Sequence, residues 1–98
     1  FNTFLDMKKP TNEQWKLIMD SIKAKENQAV EIPNEFGEYM CDYFINVLPP
    51  IVWGRTYVLC SEPYSHDENG RGIYIGFFLK KKQWYGTIAS KINFLEMI

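Results

Sequence analysis

Trp15, Ile18, Met19 and Ile22 recur at the i, i+3, i+4, i+7 spacing of one helical stripe. Lys16, Asp20, Lys23 and Glu26 point elsewhere. Thr11, with Gln14 three residues on, has the form of a capping box, so the pattern predicts a helix over about 12–25. Val30-Glu31-Ile32 alternates and predicts a short strand. Pro33 then fixes φ, and Asn34 suits a helix N-cap. Phe36, Met40, Tyr43, Phe44, Val47 and Leu48 form a second helical face. Glu35, Glu38 and Asp42 lie near its N-terminus, where negative charge suits the macrodipole. Gly37 reads as a mild penalty in the first turn. Pro49-Pro50 ends this helix, because Pro49 disfavours α geometry at Leu48 and neither proline can donate a hydrogen bond. The chain leaves along an extended path through Ile51, Val52 and Trp53.

From Arg55 the period becomes two. Tyr57, Leu59 and Ser61 alternate with Val58, Cys60 and Glu62, a strand stopped at Pro63. Residues 64–72 form a polar connection with an Asn69-Gly70 step, which favours positive φ. Ile73, Ile75, Phe77 and Leu79 then alternate with Tyr74, Gly76, Phe78 and Lys80. Lys80-Lys81-Lys82-Gln83 is a tight turn, and Trp84 to Ala89 is a third strand. Residues 90–98 fit two periods: Ile92, Leu95 and Ile98 suit a helix, while Ile92, Phe94 and Glu96 suit a strand. Phe1, Phe4, Leu5 and Met7 are expected to lie on the core. The sum is one α+β domain over 1–98. Two N-terminal helices (about 11–48) pack on a three- to four-stranded antiparallel meander (about 55–89), with Val30–Ile32 or the tail as the fourth strand.

Composition leaves this picture standing. Ninety-eight residues, 46% hydrophobic and 23% charged, fit one folded domain rather than two or a disordered chain. Net charge is −1, so the whole molecule has no strong pull toward phosphate backbones or acidic lipid. The charge is uneven: residues 1–68 hold a balance of −5 and residues 69–98 one of +4. Two solvated faces account for that. Cys41 and Cys60 are too few for a disulfide framework and read as reduced, partly buried small hydrophobes. No apolar run approaches a membrane span, and no signal peptide is visible, so a cytoplasmic protein is expected. The start at Phe1 and the end on Met97-Ile98 are what a piece of a longer protein would show.

Three surfaces could carry function. If Ile73, Ile75, Phe77 and Leu79 face the helices, Tyr74 and Phe78 face the other way, joined by Trp84 or Tyr85 according to register. Such a face predicts a non-enzymatic interaction module that binds a protein partner or forms a homodimer. Coverage by the N-terminal arm or the C-terminal tail would remove it. The second candidate is a pocket near Trp53, Glu62 and His66, as in a small enzyme or ligand-binding domain. His66 has no second His or Cys at ligand spacing, so no metal or other cofactor is expected. Cys60 lacks an elbow motif, and Gly70-Arg71-Gly72 lacks the context of a phosphate loop. The third is Lys80–Lys82 beside Trp84-Tyr85, where lysines could meet phosphates and rings stack on bases. A net charge of −1 argues against nucleic acid, and a soluble turn explains the lysines.

Tyr43-Phe44-Ile45-Asn46-Val47-Leu48-Pro49-Pro50, then Ser61-Glu62-Pro63-Tyr64-Ser65-His66, then Gly72, Tyr74 and Phe77-Phe78, resembles a group of small bacterial domains often carried on mobile elements. Those domains share an aromatic helix ending in Leu-Pro-Pro, a strand ending in a Ser-Glu pair and an aromatic strand after it. The resemblance covers about residues 39–86. It implies no activity and no catalytic residue. It implies that Leu48-Pro49-Pro50, Trp53, Glu62 and His66 lie close in the fold.

Overall fold

The capping box at Thr11 closes as its spacing predicts. Gln14 N–H donates to Thr11 Oγ1 at 3.1 Å, and Thr11 N–H donates to Gln14 Oε1 at 2.8 Å. Helix α1 (Asn12–Lys23) follows, burying Ile18, Met19 and Ile22. The computed structural model describes residues 7–98, so the expectation for Phe1, Phe4 and Leu5 lies outside the described residues. Strand β1 (Val30–Glu31) precedes helix α2 (Asn34–Val47). At Leu48 the backbone turns extended (φ −141, ψ 151), the geometry that Pro49 imposes on its predecessor. Strands β2 (Val52–Gly54), β3 (Tyr57–His66), β4 (Gly72–Lys80) and β5 (Gln83–Ala89) come next, and helix α3 (Lys91–Met97) ends the chain.

The α+β class stands, but with three helices rather than two, the tail adding α3, and five antiparallel strands rather than three or four, in the order β1-β5-β4-β3-β2. Two strand expectations also need correction. Ile51 to Trp53 does more than leave α2: Val52–Gly54 pairs with β3. And β3 does not stop at Pro63. It continues to His66 because bulges absorb the proline, which cannot donate to a ladder.

β1 has only two residues, yet its whole neighbourhood is tied to β5. Asn27 sits at φ 58, its N–H donates to the Ile88 carbonyl, and its Oδ1 accepts from Ser90 N–H at 3.1 Å. Thr87 Oγ1 donates to the Gln28 carbonyl at 2.7 Å. Asn34 does not cap α2. Its Oδ1 accepts from Trp84 N–H at 2.7 Å and its Nδ2 donates to the Lys82 carbonyl at 3.2 Å, which clasps α2 to the β4–β5 turn.

The sheet separates two apolar clusters. On one side α1 and α2 cover Val58, Phe77 and Trp84, with Phe36 and Met40 above them. On the other side Leu59, Phe78 and Ala89 lie beneath Phe94 of α3. The residues that close the chain form a helix, capped where Asn93 N–H donates to Ser90 Oγ. The buried member of that helix is Phe94, whereas Ile92 and Leu95, the stripe that suggested a helix, face water.

Candidate functional site

The aromatic face expected to be bare is covered. Phe78 is 2% exposed, stacked on Tyr85 at 5.1 Å and met edge-on by Phe94 at 5.9 Å. Tyr74 and Tyr85 are half-buried on the same side and pack against that cluster. Trp84 lies on the other side, buried under α2. The physical reason is the tail, which folds as α3 instead of leaving the sheet open.

Trp53, Glu62 and His66 are spread along the sheet. Trp53 is 59% exposed on β2 and opposes Val58, near the start of β3. His66 opposes Gly72 at the end of β3. Eight residues of strand separate Val58 from His66, on the order of 20 Å even after bulging. Of the three, Glu62 lines a groove.

That groove, of about 300 Å³, lies between the C-terminal turns of α2 and the outer half of β3. Phe44 and Leu48 come from α2, Cys60, Glu62 and Tyr64 from β3, and Ile75 from β4. Two features of β3 open it. β2 pairs only with Tyr57–Leu59, so Cys60–His66 is an outer strand among the described residues. The pairing with β4 also slips twice: four steps from Leu59 to Pro63 oppose two from Gly76 to Tyr74, and two steps from Pro63 to Ser65 oppose one. Bulges re-aim side chains, and residues 61–64 stand exposed in this stretch.

A chain of rings forms the groove's inner end. Phe44 stacks on Phe77 at 5.3 Å and meets Tyr43 edge-on at 5.2 Å. Trp15 then meets Tyr43 at 5.0 Å. At the outer end the Lys23 ammonium lies 5.0 Å from the Tyr64 ring centroid. Among the described residues Glu62 has no hydrogen bond or ion pair. The arrangement is an apolar trough with one unpartnered carboxylate. A second cleft of about 270 Å³, walled by Lys9, Trp15 and Tyr43, opens directly after the undescribed residues 1–6.

The two thiols are structural. Both are buried, and burial pushes each up to about 12, helped by Asp42 and Glu38 at Cys41 and by Glu62 at Cys60. Neither is a nucleophile at neutral pH. In the unfolded chain they ionise near about 8.5. The raised folded value means that their contribution to stability is complete below that pH and is lost as pH rises toward 12. The urea midpoint is therefore expected to fall between pH 8 and about 10.5, and to fall less steeply in Cys41→Ala/Cys60→Ala. Equal slopes in the two proteins would contradict it.

Lys81 and Lys82 occupy consecutive left-handed positions (φ 50 and 66), the two centres of the β4–β5 turn. Lys80 is committed elsewhere: its Nζ donates to the Met97 carbonyl at 2.9 Å, closing the C-terminal end of α3. Among the described residues no cluster of three His, Cys, Asp or Glu could hold a metal, and no helix is long and apolar enough to cross a membrane.

Comparison with protein families, with curated proteins and with solved structures returns no match.

The groove residues Phe44, Leu48, Cys60 and Ile75 read in the sequence as core positions. Pro63 inside an alternating run was the available signal, since a proline there implies an edge strand or a bulge.

Proposed function

We propose that the protein is a non-enzymatic interaction module that takes a short segment of a partner protein into the Glu62 groove. The observation behind this reading is the unpartnered Glu62 carboxylate in a trough walled by Phe44, Leu48, Ile75 and Tyr64. The chemistry selects an apolar side chain flanked by Lys or Arg, which would fill the trough and meet the carboxylate. The volume sits at the low end of small-molecule pockets and suits one or two side chains. Pro63 and the bulges break the outer edge of β3, so side chains rather than a continuous backbone ladder would carry recognition. Both cysteines remain thiols in this reading, as in the cytoplasm.

A selection of random displayed linear peptides against the folded protein tests it. Enriched peptides are expected to pair a bulky apolar residue with Lys or Arg. Glu62→Lys is expected to weaken a synthesised winner at least about tenfold, and Leu48→Asp similarly, with the circular dichroism spectrum unchanged. Winners that lack a basic residue, or that bind both variants as well as the parent, would sink the reading.

A further inference from the structure

A cleft of about 300 Å³ opens on the α3 side of the sheet, beside the β4–β5 turn. Ala29, Phe78, Tyr85 and Met97 give it apolar walls, and Lys80 and Lys81 complete them. The Tyr85 ring lies parallel to that of Phe78, 5.1 Å away. Glu31, opposite Tyr85 in the β1–β5 pairing, and Glu96 of α3 do not line the cleft, so its lining charge is all positive. Its volume, at the low end of small-molecule pockets, suits one ring and a head group.

The turn beside it is costly for its residues. Lys80 pairs with Gln83, so Lys81 and Lys82 are the two central residues of the hairpin, at φ 50 and 66. Asn-Gly is the preferred pair for such a turn, because positive φ is unfavourable for longer side chains. Solubility asks for charge at the tip, not for lysine at both left-handed positions. Unfavourable backbone retained at the edge of a cleft marks use of the side chain it presents. Lys81 has no ion pair among the described residues. Lys80 gives one of its three N–H donors to the Met97 carbonyl, which offsets the negative end of α3 and leaves two donors.

We infer that this cleft binds a small aryl phosphate, a phosphate monoester carried on a single aromatic ring. The phosphate meets Lys81 and the remaining donors of Lys80, and the ring packs on Tyr85. A phosphate monoester carries about −1.5 to −2 charges at neutral pH, which two ammonium groups match. The cleft lies on the opposite side of the sheet from the Glu62 groove, so each idea stands or falls alone.

Calorimetric titration with phenyl phosphate tests it. Saturable binding with a Kd of about 1 mM or tighter is expected, with inorganic phosphate and phenol each at least about tenfold weaker. Lys81→Ala is expected to weaken phenyl phosphate about tenfold. Lys82→Ala removes the same charge from the same turn but not from the cleft, and is expected to change binding less than about twofold. Lys81→Asn/Lys82→Gly is expected to raise the urea midpoint while losing the ligand, a gain of stability at the expense of the site. No saturable binding up to about 10 mM overturns the inference. So do equal losses at Lys81 and Lys82, inorganic phosphate binding as tightly as phenyl phosphate, or a turn variant that binds as well as the parent.

Discussion

Gly37→Ala is expected to destabilise the protein by about 3 kcal/mol, although helix propensity alone would favour alanine by about 1 kcal/mol. A Cβ at Gly37 would stand 2.0 Å from Trp84 Cγ and 2.5 Å from Trp84 Cβ. These atoms are the root of the side chain, not a flexible end, so rotation of the ring gives no relief. The strand beneath is fixed as well. Trp84 N–H donates to Asn34 Oδ1, and its carbonyl accepts from Ile32 N–H at 3.1 Å and from Gln83 Nε2 at 3.0 Å. The remaining response is for α2 to lift, which loosens Phe36 and Met40 over the sheet. Urea denaturation monitored by tryptophan fluorescence would measure the loss. A gain of stability would show that α2 does not approach β5 so closely.

Phe94→Ala is expected to cost roughly 3–5 kcal/mol, the range for emptying a buried aromatic site. Phe94 is the fully buried side chain of α3 and packs over Gly76, where a Cβ would come 2.8 Å from its ring. Its loss also uncovers Phe78 and Tyr85. The variant should therefore bind a hydrophobic dye that the parent does not, besides unfolding at lower urea. Ile92→Ala, on the outer side of the same helix, should change stability by less than about 0.5 kcal/mol in dilute protein. Equal losses at the two positions would mean that α3 is not docked through Phe94.

These two residues mark where the sequence was legible. Gly37 read as a small defect in a helix, because propensity sees only the helix. Its use lies in Trp84, which is distant in sequence and against which it packs. α1 could be read from Thr11, Gln14 and the Trp15–Ile22 stripe because cap and stripe are local. The β4–β5 hairpin was legible for the same reason. α3 was not, because the nine residues 90–98 carry too few periods to separate 3.6 from 2. The helical option rested on Ile92, Leu95 and Ile98, and the helix exists, but its inward side is that of Phe94. The bare aromatic face was therefore inferred from a sheet whose cover had not been identified. The groove at Glu62 was half legible: the carboxylate stood out, while its walls were indistinguishable from core.

The bonds that hold residues 27–34 against β5 also set an order of events during synthesis. α1, β1 and α2 are translated before any strand they cover. Ile22, Phe36 and Met40 must wait with their apolar faces unburied until Phe77 and Trp84 have been made. β3, β4 and β5 are joined by short turns and can pair locally, whereas β1 reaches β5 only by closing a loop of more than half the chain, from Val30 to Gly86. The N-terminal half is thus the last to be secured although it is the first to emerge, and Asn34, Trp84 and Gly37 form the latch.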